Sequence, residues 1–208
     1  MGAPTADTAH PATDNDALAR RYRAVRDRTE ALCAPLSAED CAAQSMTEAS
    51  PAKWHLGHTS WFFETFILES HQPGFRPYAE AFRVLFNSYY NGIGQQHPRA
   101  QRGLLTRPSL DAVYAYRGHV DQSLTDLLAS PLAADPALLD RVELGINHEQ
   151  QHQELILMDI KHLLAANPLD PVYRETATAS GQAAPAMEWL PFDAGIRHIG
   201  HDGEGFAY

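Results

Sequence analysis

The sequence predicts an all-α protein whose main part is a four-helix bundle. Apolar residues recur at steps of three and four over four long stretches of the chain, which is the period of a helix with one buried face. Ser or Asp residues that can cap a helix stand at the starts of three stretches, and Pro stands near the ends. Four long helices joined by three connections predict a bundle.

The composition is that of a soluble globular protein with an acidic balance. The chain has 208 residues, of which 44% are hydrophobic and 20% charged, and its formal net charge is −10. This charge disfavours binding to a nucleic-acid backbone or to anionic lipids, which both attract clustered Lys and Arg. No signal peptide and no apolar run of membrane-spanning length are visible. Cys33 and Cys41 fit no zinc spacing, and two cysteines so close in sequence do not suggest a disulfide framework, so we expect a reducing cytoplasm. We expect neither nucleic acid nor a membrane as a partner.

The N-terminal part should contain a disordered leader followed by the first helix of the bundle. Residues 1–15 are rich in Gly, Pro, Thr and Ala, and this composition predicts disorder. The bundle is assigned to residues 16–168. Its first helix is predicted from about Asp16 to Ala34, because apolar residues recur there at helical spacing. The arginines of this helix are expected on the face away from the core.

A second helix is predicted from Ser50-Pro51 to about His71, with Ser50 as the capping residue and Pro51 in the first helical position. Its apolar stripe places His58 among large aromatic residues, on the face expected to be buried. A core histidine bonded to a backbone carbonyl is the alternative to a metal ligand there. His55 lies on a neighbouring face and is a weaker ligand candidate.

A long connection, residues 72–108, follows this helix and is rich in Pro, Gly, Arg and aromatic residues. A loop of this length in a compact domain is usually functional or disordered, and its aromatic residues argue against disorder. Arg99 and Arg102 are three residues apart, so one turn could direct both at a single anion such as a substrate carboxylate. The alternative is that both side chains are simply solvated.

The third and fourth helices are predicted from their capping residues. Ser109 should cap the third helix. Asp135-Pro136 should start the fourth helix, and Asn167-Pro168 should end both this helix and the bundle.

Two histidines of the fourth helix form a candidate metal site. His148 and His152 are four residues apart and therefore lie on one face, as in other helical histidine pairs that bind metal. Apolar residues flank the pair on the same stripe, so it should face the interior, where a metal would supply the partners that buried polar groups need. His162 is too far along the helix to share that metal.

The C-terminal part is predicted to leave the helical pattern. Residues 169–186 are assigned as a linker, because the segment is rich in Ala, Thr, Ser and Gly. Residues 187–208 are assigned as the start of a second domain, since short apolar runs separated by Gly and Pro predict β-strands with turns.

Four segments of the chain carry a resemblance to a known family. They are Ser50-Pro51-Ala-Lys-Trp54-His-Leu-Gly-His58, Leu85-Phe-Asn-Ser-Tyr-Tyr-Asn-Gly92, His97-Pro-Arg-Ala-Gln-Arg-Gly-Leu-Leu105 and His148-Glu-Gln-Gln-His152-Gln-Glu154. In this order they resemble the ergothioneine-biosynthesis sulfoxide synthases (EgtB), and the resemblance covers about residues 16–208.

The resemblance implies a fold with two domains. The family joins a DinB-like four-helix bundle to a C-terminal domain like the formylglycine-generating enzyme. Residues 187–208 would be the first β-strands of that second domain, which is truncated here. In the family this domain supplies the catalytic tyrosine and much of the substrate pocket. The resemblance therefore identifies no catalytic residue in this chain and implies contact with the rest of its own C-terminal domain.

The resemblance also implies a site and a reaction. In the family three histidines bind non-haem iron(II), and O2 is used to join a thiol, γ-glutamylcysteine or cysteine, to the imidazole C2 of hercynine as a sulfoxide. One matched position helps to hold the substrate, and an arginine pair binds the carboxylates of the thiol. The matching residues are His58, His148 and His152 for iron, Gln151 for the substrate, and Arg99 and Arg102 for the carboxylates.

Three alternatives stay open. The selenoneine synthases share this architecture and hercynine but use a selenosugar as the second substrate. A DinB-like thiol-dependent transferase would also use three histidines, with zinc or nickel. A bundle with core histidines could be a non-catalytic metal-binding or structural module. Imidazole ligands suit zinc and copper as well as iron, so Fe(2+) follows from the resemblance and not from the residues.

Overall fold

The computed structural model describes residues 14–88, 92, 94–175, 184–203 and 205–208. The predicted disordered leader lies outside the described residues except for its last two positions, which already belong to the first helix. Much of the predicted linker also lies outside them. The chain divides into two compact units, Met1–Tyr173 and Arg174–Tyr208.

Helices are the regular structure of the described residues, and no strand is present among them. This confirms the prediction of an all-α fold. None of the described helices combines the length and the apolar character needed to cross a membrane. The α-helices are α1 (Asp14–Cys33), α2 (Ala38–Ala42), α3 (Ala52–Phe63), α4 (Glu69–His71), α5 (Phe82–Leu85), α6 (Leu110–Leu128) and α7 (Pro136–Ala165), with a π-helical turn at Glu64–Leu68 and 3₁₀ turns at Arg99–Leu104 and Pro131–Ala134.

Four long helical stretches form the bundle: α1, α3 with its continuation through the π-helical turn into α4, α6 and α7. Helix α1 packs on α7, and α3 packs on both α6 and α7. Every residue of α3 is buried. Polar side chains on α3 must therefore find their partners inside the protein.

Capping agrees with the sequence at two helices and differs at a third. Ser109 accepts an N–H of the first turn of α6 at 3.2 Å, and Asp135 does the same for α7 at 2.9 Å. The prediction that Ser50 caps the second helix is wrong. That helix begins at Ala52, and the Ser50 hydroxyl accepts a hydrogen bond from the buried Arg102 guanidinium at 2.9 Å. A tertiary contact thus takes the hydroxyl that a cap would use.

The second unit differs from its prediction. The strands expected over residues 187–208 are not formed among its described residues. The large apolar side chains of this segment, among them Trp189 at 86% and Ile199 at 97%, are exposed. Short strands are stable only when neighbouring strands pair with them and one face is packed, and neither condition is met here. The assignment of this segment to a second domain stays a prediction.

Candidate metal centre

Three buried histidines converge in the core of the bundle. His58 lies on α3, and His148 and His152 lie one turn apart on α7, with 1%, 9% and 7% of their surfaces exposed. One nitrogen from each ring lies within 4.8 Å of the corresponding nitrogens of the other two rings. Among the described residues, these three histidines form the group whose side chains could hold one metal ion. The local spacing on α7 sets two of the positions, and the packing of α3 against α7 adds the third.

The His58 ring is oriented by a backbone carbonyl. Its Nδ1 lies 2.6 Å from the Phe86 carbonyl oxygen, which can only accept, so Nδ1 carries the proton and Nε2 carries a lone pair. Nε2 of His58 and Nε2 of His148 are 3.3 Å apart. Two nitrogens bound at about 2.1 Å to one ion, at a roughly tetrahedral angle, lie about 3.4 Å from each other. The separation of the two nitrogens therefore fits one shared ion.

His152 contacts a second polar pair behind the site. Its Nδ1 lies 2.8 Å from Nδ1 of His55, and Nε2 of His55 lies 3.0 Å from a carboxylate oxygen of Asp159. His55 is buried but is not a member of the converging group, which agrees with its rank as the weaker ligand candidate. His162 is not a member either; it contacts the Ser45 hydroxyl at 2.8 Å on the exposed part of α7.

The three histidines are held in their neutral form. Burial lowers the pKa of His58 and of His152 well below the ordinary value, and the neighbouring histidines lower it further. Burial also lowers the pKa of His148 to about 4, although the Glu149 carboxylate acts in the opposite direction. Metal ions bind the neutral imidazole, so the environment favours the form that coordinates.

The donor set fits a transition metal. Three neutral imidazoles are ligands suited to iron, zinc, copper and nickel, and together they leave coordination positions free. Nδ1 of His148 is a buried polar atom for which the described residues provide no hydrogen-bond partner. Nε2 of the same ring, 3.3 Å from Nε2 of His58, is the nitrogen that an ion would bind. Three buried histidines could thus bind a metal ion, and the ligands alone do not select which one.

A cavity of about 250 Å³ adjoins the three histidines. Its walls also contain Ser50, Ser88, Trp54 and Leu155. The structure brings all the predicted site residues to this one cavity: His58, His148, His152, Gln151, Arg99 and Arg102. The roles of these residues as metal ligands and substrate contacts stay predictions.

The two arginines of the cavity differ in their surroundings. Arg99 is exposed and donates to the backbone carbonyl of Glu48. Arg102 is 4% exposed; it donates to the hydroxyls of Ser50 at 2.9 Å and Ser88 at 3.5 Å. Two arginines on one turn therefore reach the same cavity, one from the surface and one from within the wall.

A buried ion network on the other side of α7 was missed by the sequence analysis. Glu149 is fully buried and receives hydrogen bonds from Arg26 at 2.9 Å and from Arg117 at 3.1 Å. Burial alone would raise the pKa of Glu149, but the two guanidinium charges hold it at about 2. The expectation that the arginines of the first helix lie away from the core is wrong for Arg26, which is 2% exposed. Helical periodicity gave no signal for this contact, since the partners come from different helices.

Asp159 was also missed as a partner, although the sequence contained a signal. It lies two helical turns after His152 on the same stripe of α7, where the neighbouring residues are apolar. An acidic residue on a buried stripe requires a buried partner. Which partner it finds, His55, could not be predicted from α7 alone.

These features define a class of protein: a helical bundle with a three-histidine site that could hold a metal ion, built between two of its helices. The profile of the DinB superfamily matches residues 21–156, and the chain belongs to that superfamily. No curated protein matches the chain.

Proposed function

We propose that this chain is the metal-binding bundle of an iron(II)-dependent, O2-using sulfoxide synthase that acts on hercynine. The thiol sulfur becomes bonded to the imidazole C2 of hercynine, one oxygen atom of O2 ends in the sulfoxide and the other in water. The observation that carries the proposal is the single cavity that joins three neutral histidines to two arginines and a glutamine. The ordered motifs that resemble EgtB select this reaction from those a three-histidine site could support.

Each group of the cavity has a role in this proposal. When bound, iron(II) supplies a cationic centre with free coordination positions and the redox capacity that coupling to O2 requires. Gln151 lies at the exposed edge of the cavity beside the histidine pair, where its amide can hydrogen bond to hercynine. Arg99 and Arg102 supply the positive charge that carboxylates of a thiol such as γ-glutamylcysteine need.

An anaerobic binding experiment tests the proposal without requiring turnover. Fe(II) is titrated into the metal-free protein, hercynine is then added, and the iron is followed by near-infrared magnetic circular dichroism. We expect one bound iron whose spectrum changes with hercynine and changes less with histidine, which lacks the trimethylammonium group. An iron spectrum that hercynine leaves unchanged would contradict the proposal.

Matched histidine variants show whether binding occurs at this site. His148→Ala removes a proposed ligand, whereas His119→Ala removes an exposed histidine of α6 that is not a member of the converging group. We expect loss of iron binding only for His148→Ala. Equal binding by both variants would place the iron elsewhere.

A second candidate is a DinB-like thiol-dependent transferase that uses zinc or nickel. The superfamily match is compatible with it, because that match does not distinguish the branches of the superfamily. Such an enzyme would bind a thiol at the metal and would not respond to hercynine. Calorimetric titration of the Zn(II)- or Ni(II)-loaded protein with a thiol and, separately, with hercynine therefore separates the two proposals. A selenosugar in place of the thiol tests the selenoneine-synthase variant of the first.

A further inference from the structure

We infer that Asp159 and His55 are positioning residues that fix the proton of His152 on Nδ1 and thereby present its Nε2 as the metal donor. The inference rests on the proposed three-histidine metal site, but it does not depend on which metal or which substrate the site takes. It is carried by the direction of each hydrogen bond in a buried chain that runs from α7 to α3 and back.

The donor and the acceptor of the first hydrogen bond are set at Asp159. Its Oδ2 accepts the backbone N–H of Ser50 at 2.9 Å, so this oxygen is an acceptor. The same oxygen lies 3.0 Å from Nε2 of His55. The oxygens of an ionised carboxylate only accept, so a hydrogen bond between one of them and a ring nitrogen needs the proton on the nitrogen. Nε2 of His55 is therefore the donor.

The donor of the second hydrogen bond, between His55 and His152, follows from the first. A neutral imidazole holds one N–H, so Nδ1 of His55 is left with a lone pair. Nδ1 of His152 lies 2.8 Å away, and this contact is a hydrogen bond only if His152 donates. The proton of His152 is thus on Nδ1, and its Nε2 is left with a lone pair. Both rings and Asp159 are more than nine-tenths buried.

The other helix repeats the same arrangement. His58 of α3 is held with its proton on Nδ1 by the Phe86 carbonyl. A ligand from each helix therefore has an outer hydrogen bond that leaves Nε2 available, one made by a carbonyl and one by a histidine–carboxylate pair. Outer partners of this kind typically change metal affinity by about 10- to 100-fold when removed.

The chain of hydrogen bonds also reaches the wall of the cavity. Ser50 donates its N–H to Asp159 and accepts a hydrogen bond from Arg102 through its hydroxyl. The guanidinium proposed to attract the thiol and the histidine proposed to bind the metal are thus linked through Ser50, Asp159 and His55.

The metal-free protein provides the first test. Nitrogen-15 labelling of histidine and long-range nitrogen–proton correlation spectra distinguish the two tautomers of each ring. We expect His152 with its proton on Nδ1 and His55 with its proton on Nε2. The inference is overturned if His152 carries its proton on Nε2. This measurement needs neither a metal nor a variant, so it stands even if the proposed reaction is wrong.

Substitutions of Asp159 provide the second test, with Co(II) as the probe. Asp159→Ala removes the acceptor, and we expect about a 10- to 100-fold weaker Co(II) affinity and an altered visible spectrum. Asp159→Asn can keep an accepting oxygen toward Ser50 and His55, so we expect it to restore most of the affinity. An Asn variant as weak as the Ala variant would overturn the inference, as would an Ala variant with unchanged affinity.

A buried carboxylate in the π-helical turn after α3 serves as the control. Glu64 is 2% exposed and accepts hydrogen bonds from Tyr116 at 2.6 Å and from the Tyr78 N–H at 2.8 Å, and neither partner is one of the three converging histidines. Glu64→Ala should lower stability but leave the Co(II) affinity unchanged. Equal loss of affinity in Glu64→Ala would show that the effect of Asp159→Ala is general. Absence of Co(II) binding by the wild-type protein would instead contradict the metal site itself.

Discussion

The guanidinium of Arg102 lies on the indole of Trp54, with its central carbon 3.3 Å from the centroid of that ring. Trp54 in turn stacks on His58, with ring centroids 4.6 Å apart and ring planes within 11°. A charged group of the cavity wall, an aromatic side chain and a proposed metal ligand are therefore in direct contact. The planar guanidinium fits this position, and the more compact, strongly hydrated ammonium of lysine does not.

This stack predicts that Arg102→Lys is not a conservative change. The variant should lose the cation–π contact and the hydrogen bonds to Ser50 and Ser88, lowering the free energy of unfolding by about 2 kcal/mol or more. Arg99→Lys, at an exposed position of the same turn, should change it by less than about 0.5 kcal/mol. Urea unfolding of both variants checks this. Equal midpoints for the two would contradict the role of the stack.

The buried ion network predicts a large difference between two acidic residues of α7. Glu149→Gln leaves Arg26 and Arg117 without their buried carboxylate, and we expect a loss of about 3–5 kcal/mol in the free energy of unfolding. Glu143→Gln breaks a pair with Arg21 that is about two-fifths exposed at both partners. Its cost should be about 0–1 kcal/mol.

Chemical denaturation of the two variants at neutral pH compares these costs. The prediction concerns the difference between the two losses in the free energy of unfolding, because both changes are isosteric and lie on the same helix. A Glu149 variant no less stable than the Glu143 variant would show that the buried charges find other partners.

Close packing behind the candidate metal centre predicts opposite effects for two glycine substitutions. A Cβ added at Gly57 of α3 would lie 2.3 Å from Phe86 Cε1, the ring of the residue whose carbonyl orients His58. Gly57→Ala should therefore cost about 1–3 kcal/mol and weaken metal binding. Gly118 of α6 has nothing within 4 Å of an added Cβ. Gly118→Ala should stabilise the helix by about 0.5–1 kcal/mol.

Thermal unfolding and Co(II) titration of both glycine variants check the prediction. Unchanged metal affinity in Gly57→Ala would mean that Phe86 adjusts without moving its carbonyl. The Gly118 variant controls for the general effect of an added methyl group in a helix.

The buried thiols predict a loss of stability at alkaline pH. Burial raises the pKa of Cys33 to about 12 and that of Cys41 to about 11, above the value of 9.0 for a free thiol. The neutral thiol is thus favoured by the folded state. Each thiol's contribution is fully present below about pH 9 and is lost as the pH rises to its own pKa, about 11 for Cys41 and about 12 for Cys33, at about 1.4 kcal/mol per pH unit.

Urea unfolding between pH 8 and pH 11 measures this dependence. Cys33→Ala should remove the contribution of one thiol from the slope, while the tyrosines still titrate in both proteins. Thiol reagents at pH 8 should label Cys33 and Cys41 only after unfolding, since their surfaces are 1% and 0% exposed. Rapid labelling of the native protein would contradict the burial of both residues.

The sequence predicted those parts of the site that depend on one helix at a time. His148 and His152 share a face of α7 because they are four residues apart, whatever else the chain does. The aromatic stripe of α3 indicated that His58 is buried, and the structure places it at 1% exposure. The all-helical fold followed from the same periodicity, and the capping roles of Ser109 and Asp135 followed from their positions.

Contacts between helices could not be predicted in this way. His55 and Asp159 are 104 residues apart, and Arg26 and Glu149 are 123 apart. Periodicity shows which side chains share a face, but it does not show which face of another helix lies opposite. The assignment of Ser50 as a cap failed for the same reason, because a distant guanidinium took its hydroxyl.

The amino-acid sequence by itself determined the long helices, their buried faces and the pairing of His148 with His152, since these depend on spacing along the chain and on apolar pattern. His58 was added to this pair as a third ligand by the family resemblance. The tertiary structure alone decided how close the histidine rings lie to one another and which groups form hydrogen bonds to them. It brought His58 to within 3.3 Å of His148, placed the Phe86 carbonyl and the His55–Asp159 pair behind the proposed ligands, and enclosed Arg102 in the cavity wall. These relations arise from the packing of α3 against α7. That packing fixes distances and proton positions that cannot be predicted from residue spacing within one helix.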